Sequence, residues 1–206
     1  MQIAVFGATG RTGRHVMRLL AEAGHGAQAL VRDPAAAQTF GDAVIVVRGD
    51  VRDSSAVTQT IDGSDAVISA FGQRSLGKDD LEEVFYRNLI AAMKQAGPPR
   101  LVALSAHGVG ASYASVPAVF RLIRSTMLKN VYDDKDRADA PLIASGLDYT
   151  NVRPPRLTNG PAAGAVVASA DSRGLSNSIS RADVAAFLVS RLDDRTWLRQ
   201  SPVIGN

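Results

Sequence analysis

The 206-residue chain contains no cysteine, so disulfide frameworks, thiolate nucleophiles and cysteine metal sites are excluded together. Histidine is scarce as well. His15, His25 and His107 stand far apart, with no pair one helical turn apart, and no metal is expected. No apolar run approaches the length of a membrane span, and the opening MQIAVFGATG lacks the basic start, long apolar stretch and cleavage site of a secretory leader. No membrane partner is expected, and the expected location is the cytoplasm. The net charge of +3 is small and evenly spread; it suits anionic small ligands and gives no reason to expect a nucleic-acid partner.

What is present is an alternation. Apolar runs bounded by turn residues are followed by stretches of helical spacing, the pattern of βα units around a buried parallel sheet. QIAVFGA reads as the first strand, and Thr12 to Ala23 as a helix with Val16, Leu19, Leu20 and Ala23 on one face, ended at Gly24. AQALVR, AVIVVRGD and DAVISAFG read as strands two to four, a longer helix is expected from Asp80 to Gln95, and RLVALSA is the fifth strand. Val119 to Lys129 and Tyr132 to Ser145 read as helices, and LDYTNVRPP as a sixth strand stopped by two prolines.

From Leu157 to Gly164 a loop rich in Gly, Pro and Ala is expected, then a short strand AVVASA and a polar loop to Ser180. Ser180 and Asp183 resemble a capping box opening a last helix, and SPVIGN is expected to add an edge strand. No repeat or linker divides the chain. The expected architecture is a Rossmann-type doubly wound α/β fold, one domain over residues 1–206, with about 155–180 as a small substrate-side lid and a monomer or small homo-oligomer as the assembly.

The chemistry begins at Gly7, Ala8, Thr9, Gly10, Arg11, Thr12 and Gly13, a GxxGxxG run between the first strand and the first helix. There the free amides and positive end of a helix converge on one anion, for which a pyrophosphate is the natural occupant. Gly7 would make the tight turn, Gly10 would admit the diphosphate, and Gly13 would let helix and strand pack closely, with Thr9 and Thr12 adding hydroxyl donors. A glycine cluster can also be a plain structural turn; its place inside an N-terminal βαβ unit favours the nucleotide.

The end of the second strand reads the ribose. An acidic side chain there suits NAD, whereas arginine accommodates the 2′-phosphate of NADP. Arg32 holds that position, with Asp33 next to it and Arg11 as a second cation inside the loop. NADP(H) is therefore expected over NAD(H).

GATGRTG, VRDP, the GDVRD of Gly49 to Asp53, the SAFG of Ser69 to Gly72 and SGLDYTNVRPPRLT together resemble the atypical short-chain dehydrogenase/reductase family. More narrowly, the chain resembles NAD(P)H-binding proteins similar to biliverdin reductase B/flavin reductase, and more distantly the NmrA-like regulators. The resemblance implies that Asp50 and Val51 contact the adenine, and that Ala70, Phe71 and Gly72 line the middle of the cofactor. It also implies that Ser105, Pro154, Pro155 and Arg156 lie near the nicotinamide.

The chain departs from typical short-chain dehydrogenases, which pair a tyrosine with a lysine four positions later. Tyr86, Tyr113, Tyr132 and Tyr149 are followed at that spacing by Ile90, Pro117, Asp136 and Arg153. Lys135 comes three after Tyr132, which leaves a displaced pair on one helical face. A ketone needs a positioned acid, whereas flavins, quinones and tetrapyrroles spread the incoming charge, so the expected activity is an NADPH-dependent transfer of hydride to a conjugated acceptor. Ser105 and His107 are the candidate catalytic groups; each has an ordinary turn or loop role as its alternative. Arg153 and Arg156 would serve either an anion or a salt bridge within the fold. A non-catalytic NADP-binding sensor and a nucleotide-dependent isomerase or epimerase are the competing functions.

Overall fold

The computed structural model describes residues 1–41, 43–72 and 76–206. Six parallel strands form the central sheet: β1 (Gln2–Phe6), β2 (Gly26–Val31), β3 (Val44–Arg48), β4 (Ala66–Ser69), β5 (Arg100–Leu104) and β6 (Asp148–Val152), in the spatial order β3-β2-β1-β4-β5-β6. The order reverses at β1, where the chain turns outward to β2 on one side and β4 on the other. A crevice opens beyond the strand ends at such a point, which is where α/β sheets bind ligands.

The helices are α1 (Arg11–Glu22), α2 (Ser54–Ile61), α3 (Leu81–Ala96), α4 (Ala118–Ser125), α5 (Lys129–Ile143) and α6 (Arg181–Ser190). They cover both faces because the strands are apolar on both. In β1, Ile3 and Val5 face Val16 and Leu20 of α1 and Val184 and Leu188 of α6, while Ala4 and Phe6 face Val57 of α2, Phe85 and Leu89 of α3 and Leu142 of α5. The two layers follow directly from the period of two along the strand.

Element boundaries follow local chemistry. The β2–β3 link is a 3-10 helix, Pro34–Phe40, with Pro34 in its first turn and the Asp33 carboxylate accepting the Ala35 amide. Ser180 caps α6 by accepting the amide of Asp183 at 3.0 Å, as the capping pattern predicts.

Two expectations need correction. Leu157 and Thr158 are not loop: with Arg156 they form β7 (Arg156–Thr158), paired in parallel with β9 (Ser178–Ser180). The C-terminal segment does not join the main sheet as a regular strand. It runs beside β6 through bridges at Thr150–Gln200 and Arg153–Val203, while β10 (Val203–Gly205) pairs antiparallel with β8 (Val167–Ser169). Arg153 accepts and donates main-chain bonds to this segment, so the edge of β6 is covered rather than open. Among the described residues no helix is long and apolar enough to cross a membrane.

Candidate functional site

The site is built where β1 and β4 end. Gly7 takes φ +79°, and a Cβ there would lie 2.7 Å from the Ala70 carbonyl oxygen, so the turn after β1 and the tail of β4 touch backbone to backbone. The Ala70 amide donates to the Phe6 carbonyl at 2.9 Å, and the Gly10 amide closes the turn onto the Gly7 carbonyl at 2.9 Å. A Cβ on Gly13 would stand 2.0 Å from that same Gly7 oxygen, which is why the first turn of α1 can lie flat on the loop.

Gly10 occupies the N-cap with no side chain to cap the helix. The amides of Arg11, Thr12 and Gly13 thus lack intrahelical acceptors and point out of the turn, a cradle for an anion. Thr12 is buried in that turn and Thr9 partly so, while the Arg11 side chain is exposed. The motif is held from behind by Arg14, whose Nε donates to the Thr9 carbonyl at 3.3 Å and whose Nη1 donates to Thr39 Oγ1 at 3.2 Å. Arg14 escaped the sequence reading because it lies one residue past the last glycine.

At the end of β2, Arg32 and Asp33 are both exposed, and one Asp33 carboxylate oxygen accepts the Ala35 amide at 3.0 Å. At the end of β3, Asp50 accepts the Arg52 amide at 2.9 Å, and Val51 is buried in the core, with its carbonyl accepting Asn88 Nδ2 at 3.0 Å. A contact from Val51 to an adenine would therefore come from backbone.

Past β4, the Phe71 ring rests 4.9 Å from that of Phe85, and the Cα of Gly72 faces a buried ion pair. Lys135 Nζ sits 2.8 Å from both carboxylate oxygens of Glu82, which is 2% exposed. This pair borders a cavity of about 10 Å³, room for a single water, lined also by Tyr86, Ser105, Asp139 and Asn151. Glu82 carried no sequence signal, since an acidic residue in a first helical turn is ordinary.

The tails of β5 and β6 continue in parallel beyond the strands. The Ser105 amide donates to the Val152 carbonyl at 2.7 Å and the His107 amide to the Pro154 carbonyl at 2.8 Å, which brings Ser105, His107 and Pro154 together; Pro155 and the exposed Arg156 follow on the same side. The His107 ring lies 2.9 Å from Ser115 Oγ. Burial, and then the positive Arg153, hold its pKa below the usual imidazole value.

The displaced tyrosine and lysine do not act together. The Tyr132 hydroxyl donates to the His107 carbonyl at 3.1 Å and burial raises its pKa to about 12, while Lys135 is committed to Glu82. The alternatives for Arg153 also separate: it is 2% exposed and its Nη2 meets Asp139 at 2.8 Å, so it is a salt bridge within the fold.

The sequence profile of the NAD(P)H-binding family matches residues 7–195. The chain is 31% identical to the uncharacterized sugar epimerase YhfK of Bacillus subtilis, over 95% of this chain and 89% of that protein. It is 36% identical to the isoflavone reductase homolog IRL of Zea mays over 47% of this chain, a match that spans only 32% of the maize protein. The anaerobilin reductase ChuY of Escherichia coli O157:H7 has the same fold, with a TM-score of 0.85 at 23% identity over 100% of this chain and 97% of that one. A cradle of free amides at the switch point of a six-stranded parallel sheet, inside a matched segment that spans nearly the whole length, makes this chain a member of the NAD(P)H-binding family.

Proposed function

We propose that the protein is an NADPH-dependent reductase of an extended conjugated acceptor, a flavin, a quinone or a tetrapyrrole. The observation that carries this reading is the commitment of Tyr132 and Lys135 to His107 and Glu82, with the Tyr86 hydroxyl donated to Ser69 Oγ, which leaves no tyrosine–lysine pair to deliver a proton. Without it an alkoxide product has no positioned proton donor, whereas a conjugated acceptor delocalises the added charge and takes its proton from water. When bound, the reduced nicotinamide supplies two electrons as hydride.

The chain's own residues would do the rest. Gly7, Gly10 and Gly13 with the amides of Arg11 and Thr12 hold the pyrophosphate, and Arg32 takes the 2′-phosphate. Ser105 orients the carboxamide or the acceptor by hydrogen bonding. His107, neutral at pH 7 because its pKa lies below the ordinary 6.5, serves as a hydrogen-bonding group near the ring rather than as an acid. Residues from about 155 to 180 close over the acceptor as a lid, and a small soluble assembly in the cytoplasm is the setting we favour.

The test is the loss of reduced-nicotinamide absorbance when purified protein and NADPH meet a panel of flavins, quinones and tetrapyrroles. Acceptor-dependent oxidation is expected. Tight NADP binding with no oxidation across the panel would instead identify a sensor, and interconversion of a sugar nucleotide without net oxidation an epimerase. For the cofactor choice, Arg32→Ala should weaken NADP binding about ten- to hundredfold, the loss of a charge-assisted bond of about 1.5–3 kcal/mol, and leave NAD within about twofold. An unchanged ratio of the two dissociation constants would remove the case for NADPH.

A further inference from the structure

The last helix brings a second cation to the glycine loop. The guanidinium of Arg100, the first residue of β5, donates from Nε and Nη2 to the carbonyl of Arg191 just past the end of α6, at 3.1 and 2.5 Å. The end of α6 therefore lies at the edge where the strands begin, and its first residue, Arg181, at the edge where they finish. α1 leaves β1 at that same edge, and its first residue is Arg11. The two helices pack side by side through Val16, Met17 and Leu20 against Val184, Ala185 and Leu188. Arg11 and Arg181 thus head two neighbouring helices at one rim.

Among the described residues, no ion pair forms at Arg11 or Arg181, although fourteen other cation–carboxylate contacts do, from Arg18–Glu22 to Arg199–Asp148. Arg181 is part-buried, and among the described residues its Nη1 meets the neutral amide oxygen of Asn159, at 2.7 Å. Burial, and then the charge of Arg11, pull its pKa below the ordinary arginine value, so the two cations act on each other. Two like charges brought together beside a helix N-terminus, in a chain otherwise rich in ion pairs, are a receptor for an anion with more than one charge.

We infer that Arg181 joins Arg11 as a clamp on the pyrophosphate of the bound dinucleotide, gripping it from the side of α6 while the α1 amides hold it from below. This rests on dinucleotide binding by the family and not on which acceptor is reduced. The pyrophosphate is common to NAD and NADP, so the clamp contributes affinity to both and selects neither. Its removal and that of Arg32 therefore have different signatures.

The experiment measures dissociation constants of Arg181→Gln, Arg181→Lys and Arg32→Ala for NADP, NAD and 2′-phosphoadenosine, which has no pyrophosphate, together with the melting temperature of each ligand-free protein. In Arg181→Gln, NADP and NAD should both weaken by about tenfold or more, in equal ratio, with 2′-phosphoadenosine unchanged. Arg181→Lys should recover part of the loss. The melting temperature should hold or rise, because a like-charge contact is relieved. Unchanged affinity for both dinucleotides overturns the clamp, as does an equal loss for 2′-phosphoadenosine accompanied by a lowered melting temperature, which would make Arg181 a structural residue. Failure of the acceptor assay with this pattern intact would count against the proposed reductase and leave the clamp standing.

Discussion

Gly13→Ala is expected to abolish useful dinucleotide binding, raising the dissociation constants for NADP and NAD alike by about hundredfold or more. The added methyl would lie 2.0 Å from the Gly7 carbonyl oxygen and 2.8 Å from the Ala8 Cα, both backbone atoms that cannot rotate away. Either the first turn of α1 lifts or the loop opens, and both movements scatter the amides of Arg11, Thr12 and Gly13. Losing two charge-assisted bonds of about 1.5–3 kcal/mol each accounts for the size of the effect, and the overpacking itself costs about 1–3 kcal/mol of stability. Gly24→Ala is the control. It sits past the other end of α1 at φ +72° with open space around it, so it should cost about 1 kcal/mol in backbone strain and leave both dissociation constants where they were. Isothermal titration on the two variants decides the matter, and a Gly13→Ala protein that still binds NADP within about tenfold of the parent would disprove the tight-contact account.

The second large effect is on stability. Asp139→Ala removes the carboxylate that meets Arg153 Nη2 at 2.8 and 2.9 Å and Asn151 Nδ2 at 2.6 Å. Arg153 is 2% exposed, so its charge would be left unpaired in the interior, at a cost of about 3–5 kcal/mol. For a chain of this size that is a fall in melting temperature of about 10 °C. Replacing both partners, Asp139→Leu with Arg153→Met, should recover most of the loss, because it is the stranded charge that destabilises and not the absence of the bridge. The single variant Arg153→Met also reports on His107. Arg153 is the second cause, after burial, of that imidazole's lowered pKa, so its removal should raise the value toward but not up to 6.5, which a histidine proton titration by NMR would register. A single Asp139→Ala variant melting within about 2 °C of the parent would show that the pair is hydrated and not buried.

These residues mark where the amino-acid sequence speaks and where it is silent. The cradle was readable because each of its requirements is local: a strand end, a positive φ at Gly7, a close approach at Gly13 and a capless helix start all fall within one short stretch. The central strands were readable for a similar reason, since burial on both faces writes an apolar run into β1, β4 and β5. Glu82, Lys135, Asp139 and Arg153 were not, because their pairing is made by the packing of α3, α5 and β6 and no spacing along the chain encodes it. β7 and β9, with three residues each, are too short to show a period, and the chain names them only by pairing with each other. Asp183 shows both sides: its cap to Ser180 follows a local pattern, whereas its hold on the amides of Ala163 and Gly164, at 2.9 and 3.0 Å, depends on the return of the chain. Burial works against that carboxylate, yet those amides and the Ser180 hydroxyl keep its pKa below the ordinary value.

The packing of α1 against α6 also bears on how the protein comes into being. α1 is made well before α6, so the apolar stripe of Val16, Met17 and Leu20 waits for its cover while the chain between the two helices is synthesised. Until then the nucleotide loop is attached to a helix with one bare side, and β6 lacks the C-terminal segment that shields its edge. The first half of the sheet can assemble early, but the half-site it carries becomes rigid only once α6 and the segment beside β6 are in place, and dinucleotide arriving at that moment would act as a folding ligand before it acts as a coenzyme.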